Sequence, residues 1–357
     1  DFGATWLVLG VARRLELGTM LSAALGPELA GRVLSLAVYS ATGGGAMYLY
    51  RDWAERTWGV ERGDMSSQDI SRILVSLGGM GREREAFWRA WARRHGEGRS
   101  LVFDVTSISG YGQSIDMLEW GYNRDGESLP QVNIGLMMGE KNLLPLGYRT
   151  YPGSIPDIRM LVNLLEHFRH MGMLQSRIIL DRGFFSAGNM KSLAGHGYSF
   201  LIPMPFTSSN AKELLLSSAG RLESPDSAME FNGRILAYLK RKADVAGIGC
   251  EAHVFCDEKR RAAEKENLMR KIIMVEKELS GKRFDGIKEA LSRIEAISAG
   301  CSRLLDVSIV KGLLKIRKNN EKIAERMLRM GRMILLSGDR NLTGRDVLRD
   351  YYRKEFL

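Results

Sequence analysis

A chain of 357 residues, 45% hydrophobic and 26% charged, has room for two or three domains with buried cores, and this composition excludes wholesale disorder. The net charge of +10 is uneven: Glu258 to Arg332 holds 20 Lys and Arg against 11 Asp and Glu, a local excess that points to a polyanion, either nucleic acid or a membrane surface. Cys250, Cys256 and Cys301 form no C-x-x-C pair, so they read as reduced thiols of a cytosolic protein and not as a zinc site or a disulfide frame.

Residues 1–98 read as helical. Pro27-Glu28-Leu29 makes a first helical turn. Val33 to Tyr50 carries no charge over 18 residues, the lower limit for a membrane span. Ser35, Ser40, Thr42 and the Gly43-Gly44-Gly45 run inside it indicate instead a core helix broken at the glycines, so no membrane partner is expected, and no signal peptide is evident. Ser66-Ser67-Gln68-Asp69 is a capping sequence. Behind it Ile70, Ile73, Leu74 and Leu77 recur at helical spacing until Gly78-Gly79. With Tyr50 to Trp58 upstream, this is either a helix-turn-helix presenting Gln68 and Arg72 to DNA or an ordinary helical pair. Residues 84–94 form a helix with Phe87, Trp88 and Trp91 on its core side.

From Ser100 the period changes. Ser100-Leu-Val-Phe-Asp104 is an apolar strand with a carboxylate at its end. Gly110 to Leu129 is a polar loop. Gln131–Met138 and Leu144–Thr150 form a hairpin around Gly139-Glu-Lys-Asn142. A helix follows over Pro156–Met171, on which His167 and His170 are exposed residues with no third metal ligand near in sequence. Arg177-Ile-Ile-Leu-Asp181 then repeats the apolar strand that ends in a carboxylate. A helix begins at Ser186, and Ser199–Pro203 is another strand. Strand, hairpin, helix, strand, helix, strand describes a mixed sheet with helical crossovers.

A lone Asp at a strand end more often caps the next element. Two of them, Asp104 and Asp181, each leading into a Gly/Ser turn, suggest paired carboxylates meeting at one sheet edge. Such a pair suits Mg²⁺, which takes one or two protein carboxylates and fills its other positions with water and phosphate oxygens.

Residues 226–256 contain further strands. Helices follow from Asp257, with Leu268, Ile272, Val275 and Leu279 on one face, and over Asp285–Ala299. Core character resumes at Met333–Ser337. Thr343-Gly-Arg-Asp346 caps a last helix carrying Val347, Leu348, Tyr351 and Tyr352. The chain begins at Asp1 without a methionine and stops inside a helical pattern, so both ends are expected to be cut.

Phe103-Asp104-Val105-Thr106-Ser107, Gly121-Tyr-Asn-Arg-Asp-Gly126 leading to Leu129-Pro130-Gln131, Leu180-Asp181-Arg182-Gly183-Phe184-Phe185, Leu335-Leu336-Ser337 and the helix from Thr343 together resemble the DDE transposases of bacterial insertion sequences. The resemblance is to the group whose last catalytic helix bears Tyr-x2-Arg-x3-Glu-x6-Lys. It implies an α/β, ribonuclease-H-like mixed sheet, preceded by a helical N-terminal domain and interrupted by a strand-plus-helical-hairpin insertion. The implied domains are 1–98, binding DNA ends; 99–220, the first part of the catalytic core; 221–330, the basic insertion; and 331–357, the last strand and the start of a truncated final helix.

The resemblance further implies Mg²⁺-dependent cleavage and strand transfer of DNA, with Asp104 and Asp181 as catalytic, metal-binding carboxylates and Mn²⁺ as a substitute ion. The partners would be double-stranded DNA, as element ends and target, and a second copy in a homodimeric synaptic complex, in the bacterial cytoplasm at the nucleoid. Gln68, Arg72, Arg124, Arg182, Lys259, Arg260, Arg261, Lys282 and Arg283 are the DNA-binding candidates. Arg182 either contacts phosphate or pairs with Asp181. The family's catalytic Glu departs from the pattern: counted from Tyr352, Glu355 falls at the signature's Arg position, and counted from Tyr351, Lys354 does. The Glu is then expected beyond Leu357, so the alternative is a catalytically inactive DNA-binding remnant of a transposase. A haloacid-dehalogenase-like phosphatase is disfavoured, because it needs an Asp where Thr106 stands.

Overall fold

The computed structural model describes residues 2–63, 65–96, 98, 100–112, 114–121, 126–170 (157–159 by backbone alone) and 177–354. Its chain divides into two compact units, one of Asp1–Ile155 with Val162–Gln175 and one of Pro156–Leu161 with Ser176–Leu357. Among the described residues no helix is long and apolar enough to cross a membrane. The fold is mixed α/β, with helices and a large, mostly antiparallel sheet.

The first unit opens with six helices: α1 (Gly3–Arg14), α2 (Leu17–Leu25), α3 (Pro27–Thr42), α4 (Tyr50–Glu55), α5 (Ser67–Gly79) and α6 (Gly81–His95). The uncharged stretch from Val33 begins as the second half of α3, and that helix stops at Gly43. Leu36, Tyr39, Tyr50, Ala54, Ile70 and Ile73 form one buried cluster. A capping box starts α5, Ser66 accepting from the Asp69 N–H while the Asp69 carboxylate takes the Ser66 N–H. Such a box satisfies two of the backbone donors that a helix start leaves bare. The apolar stripe expected on α5 is narrower than its sequence indicates, because Leu74 is 50% exposed.

Strands β1 (Ser100–Ser109), β2 (Gln131–Gly139) and β3 (Pro145–Pro152) follow, antiparallel, with β2 in the middle. Along β2 buried and half-buried residues alternate, the period of a strand packed on one face. Helix α6 is tied to this sheet by the Trp91 indole N–H, which donates to the Pro145 carbonyl at 2.7 Å, and by the Asn142 amide on the His95 carbonyl at 2.8 Å. Helix α7 (Asp157–His170) buries Leu164, Leu165 and Phe168.

In the second unit, β4 (Arg177–Ile179), α8 (Ala187–Gly195) and β5 (Ser199–Pro203) make a parallel pair with a helical crossover, the connection that parallel strands require. After α9 (Ser209–Leu222) come β6 (Ala228–Phe231), β7 (Arg234–Val245) and β8 (Ile248–Cys256). Then follow α10 (Glu258–Leu279), α11 (Ile287–Ile297), β9 (Leu305–Val310), β10 (Leu313–Lys318), α12 (Asn320–Arg329), β11 (Arg332–Ser337) and α13 (Gly344–Arg353).

The strand order in this unit is β4-β5-β11-β8-β7-β6, with β9-β10 a separate ribbon. The strands read from 226–256 therefore extend the sheet of β5 and β11. Both meander turns are two-residue loops with positive φ at each position, Asn232-Gly233 and Ala246-Gly247, the geometry that matches strand twist. The four apolar residues expected on one face of α10 are its buried ones. They join Ile294, Leu305, Leu314 and Ile323 in a second core. The sequence reading had no β9, β10 or α12.

Candidate functional site

In the first unit, Asp104 sits fifth on β1, opposite Leu136 of β2. The four residues before it are buried and it is half-buried, so the strand delivers a carboxylate from the core toward solvent. Its Oδ1 accepts the Val105 N–H at 2.9 Å.

In the second unit, Asp181 follows β4 by two residues, in extended conformation, and opens a single helical turn over Arg182–Phe184. Its side chain is 51% exposed, and its Oδ1 lies 3.2 Å from the Lys354 Nζ, itself 10% exposed. Burial raises the Asp181 carboxyl, but the Lys354 charge, the Arg182 N–H and the Arg182 charge together outweigh it and hold the group below the ordinary carboxylate range. Asp181 is thus an ionised, accessible carboxylate at physiological pH.

Lys354 is positioned by α13. A capping box of Thr343 and Asp346 starts this helix, and Asp350, fully buried, binds Arg177 at 2.9 Å and Arg349 at 3.2 Å. Arg177 is the first residue of β4 and also lies 3.8 Å from Asp339. Asp350 and Lys354 are one helical turn apart and share a face, so the helix that pins the start of β4 also carries a cation to its end. Lys354 is the partner of Asp181 that sequence reasoning missed. A contact between residues so far apart in the chain leaves no local signal.

Gln68 and Arg72 are both exposed on α5, Arg72 paired with Asp69 of its own helix at 3.0 Å. Arg124, with the Tyr122–Asp125 part of its motif, lies outside the described residues, as does Glu355. Arg182 is exposed beside Asp181. Lys259, Arg260 and Arg261 occupy the first turn of α10, whereas Lys282 and Arg283 lie past its C-terminus. A 22-residue helix separates the two groups by roughly 33 Å. Arg260 pairs with Glu264 at 2.7 Å. Arg261 is largely covered, holding Glu258 at 2.8 Å and Glu223 at 3.8 Å. Among the described residues no group of three His, Cys, Asp or Glu is placed to hold a metal.

The segment that bears both aspartates is the one that comparison identifies. Residues 95–337, more than half of the chain, match the Transposase DDE domain model, and the chain belongs to that family. DDE transposases are polynucleotidyl transferases that use divalent metal. None of the curated proteins matches. A solved structure that is similar is the piggyBac transposase synaptic complex with hairpin DNA, determined by cryo-EM, at 14% identity and a TM-score of 0.29. The match covers 80% of this chain and 64% of that one, so the chain spans less than two thirds of its length.

Proposed function

We propose that this transposase catalyses Mg²⁺-dependent DNA strand cleavage and strand transfer of an insertion sequence, with Asp104 and Asp181 as its metal-binding carboxylates. The observation that carries this reading is that both side chains leave buried strands inside the segment matching the DDE domain. In this reading the core is ribonuclease-H-like, covering 99–220 and 331–357. The helical domain of 1–98 reads DNA ends through Gln68 and Arg72. The insertion of 221–330 tracks the DNA backbone through Lys259, Arg260, Arg261, Lys282 and Arg283. Arg124 and Arg182 add phosphate contacts. The partners are double-stranded DNA, as element ends and target, and a second copy in the synapse, at the bacterial nucleoid.

The donor chemistry fits a hard divalent ion. Carboxylate oxygens are its preferred ligands, and one or two of them leave positions for water and phosphate. Asp181 meets that need directly, being ionised and half-exposed. When bound, such an ion supplies Lewis-acid charge at the attacking and leaving oxygens of an in-line displacement, with Mn²⁺ able to replace Mg²⁺. The chain's own residues set the stage. The Val105 N–H orients Asp104, Lys354 and Arg182 keep Asp181 deprotonated, and the exposed Arg182 guanidinium is available to a phosphate oxygen.

The test is cleavage of DNA carrying the element's own ends by the complete reading frame containing this chain. Asp104→Asn and Asp181→Asn each abolish cleavage and leave DNA binding intact. Retained cleavage in either variant removes that residue from the site. Mg²⁺-independent binding with no nicking by the unaltered protein supports the binding-only remnant instead.

A further inference from the structure

The second unit contains a cleft of about 720 Å³ whose walls come from α10, α12, the first residue of β11 and the segments after β4 and β5. Its lining includes Arg182, Arg260, Lys271, Arg326, Arg329 and Arg332, with Glu264 the only carboxylate among the described residues. Two of these cations are neutralised locally, Arg260 by Glu264 at 2.7 Å and Arg329 by Glu325 at 2.8 Å. Among the described residues, Arg182, Lys271, Arg326 and Arg332 have no carboxylate within 4.0 Å. Four cations gathered round one cleft repel one another, an arrangement that costs stability until an anion enters.

Arg332 makes the need for an anion sharper. It is 5% exposed, and its Nε is buried with no acceptor. Its NH1 group donates to the Leu328 carbonyl at 3.0 Å. It also meets the Cys256 thiol, whose pKa burial raises to about 11, so that sulfur brings no negative charge. A buried guanidinium with an unmet donor is a costly element unless something supplies the missing oxygen.

The layout also indicates the shape of the ligand. Arg260, Glu264, Asn267, Leu268 and Lys271 lie on one face of α10, and Arg326 and Arg329 on one face of α12, with Met330 capping it. Arg260 to Lys271 spans roughly 16 Å of helix, the rise of several nucleotides at about 3.4 Å each. Leu268 and Met330 supply apolar floor and Phe206 an aromatic surface, the combination of charge and π-face that single strands use. Arg182, one of the lining residues, is the direct neighbour of Asp181.

We propose that this cleft binds the sugar–phosphate backbone of a DNA strand, leading it past Arg182 to Asp181, with Arg332 receiving a phosphate oxygen. The inference rests on the reading of Asp181 as a carboxylate that acts on DNA. It goes beyond that reading by assigning the strand's path to Lys271, Arg326 and Arg332, none of which the sequence singled out.

The test compares two doubly charge-reversed proteins by anisotropy of a fluorescein-labelled single-stranded oligonucleotide over a range of salt. Lys271→Glu with Arg326→Glu alters exposed cleft residues. Lys288→Glu with Arg293→Glu makes the same change in net charge on α11. The cleft pair is expected to weaken binding at least ~10-fold and to reduce the slope of log K against log salt by about 1.4, the share of two phosphate contacts on a single strand. The α11 pair should change affinity less than ~3-fold. Equal losses in the two proteins overturn the proposal. So does ATP or inorganic tripolyphosphate occupying the cleft without displacement by the oligonucleotide, which would assign it to a free phosphate ligand. Cleavage assays separate the two readings. Cleft-dependent binding with no cleavage under any condition refutes the strand-transfer reading alone, whereas cleavage with undiminished binding by the cleft variant refutes the cleft alone.

Discussion

Lys354 Nζ lies 3.2 Å from Asp181 Oδ1, one helical turn beyond the Asp350 whose carboxylate holds Arg177 at 2.9 Å. The two ion pairs reverse sign along the same two elements, cation on β4 and anion on α13 first, then the opposite. A helix slipped by a turn would set like charges together, so the pairs fix the register of α13. They are unequal in environment. Asp350 is fully buried and Arg177 11% exposed, whereas Asp181 is half in solvent.

Asp350→Asn should therefore destabilise the protein by about 3–5 kcal/mol, because it strands Arg177 without its buried counter-charge. Lys354→Met should cost less than about 1 kcal/mol, since the Asp181 end of that pair is screened by water. Urea unfolding of both variants measures the contrast. Equal costs would show that burial does not set the order.

His253 gives the fold an acid-sensitive point. It is fully buried on β8, its Nδ1 meets the Tyr238 hydroxyl at 2.9 Å, and burial with the Lys240 charge lowers its pKa from 6.5 to about 4. The unfolded chain takes up this proton near pH 6.5 and the folded chain only near pH 4. Stability from this group is complete above the upper value and drains away as pH falls through the window. Between pH 7 and pH 5 the protein should lose about 2 kcal/mol that His253→Gln does not lose. Urea midpoints at the two pH values decide it, and parallel losses would place the acid sensitivity elsewhere.

Gly331 joins α12 to β11 with φ +65°, and a Cβ there would stand 2.6 Å from the Asp257 carbonyl oxygen and 2.5 Å from the Arg261 Cβ. Its carbonyl accepts the Asp257 N–H at 2.8 Å and its N–H reaches Glu264 at 2.8 Å. Gly331→Ala combines backbone strain with overpacking and should cost about 3 kcal/mol. A thermal midpoint within a degree of the parent would show that the α12–β11 junction relaxes freely.

The basic residues at the two ends of α10 should contribute separately to DNA binding. Lys259→Gln and Lys282→Gln should each reduce the slope of log K against log salt by about 0.9, the contribution of one duplex phosphate contact. Arg261→Gln should instead lower stability, because that side chain spans Glu258 and Glu223. An unchanged slope in the lysine variants would take both ends of α10 out of the interface.

Local grammar was legible. Both capping sequences, at Ser66 and Thr343, are capping boxes, and the buried face of α10 consists of the four residues its spacing indicates. What escaped was written in less familiar signs. The β9–β10 ribbon turns on Lys311, a non-glycine residue at φ 52°, and Lys315 and Arg317 dilute its apolar pattern. Within the strand region read over 226–256, Glu251 and His253 interrupt a run that is buried from Cys250 to Cys256, which hides the extent of β8, a strand with neighbours on both sides. Of the candidate site, both aspartates could be read from period and composition, but only Asp181 stands just past its strand, because β1 continues through Asp104 to Ser109. Lys354, Arg177–Asp350 and the cleft cations could not, because their partners are set by tertiary packing.

The three thiols carry a practical consequence. Cys250, Cys256 and Cys301 are free and buried, and burial holds the first two near pKa 11, so maleimide dyes will pass the native protein by at neutral pH. A cysteine introduced on an exposed helix of each compact unit would then take its fluorophore against a dark background. Energy transfer between them would report the separation of the two units in solution as DNA is added.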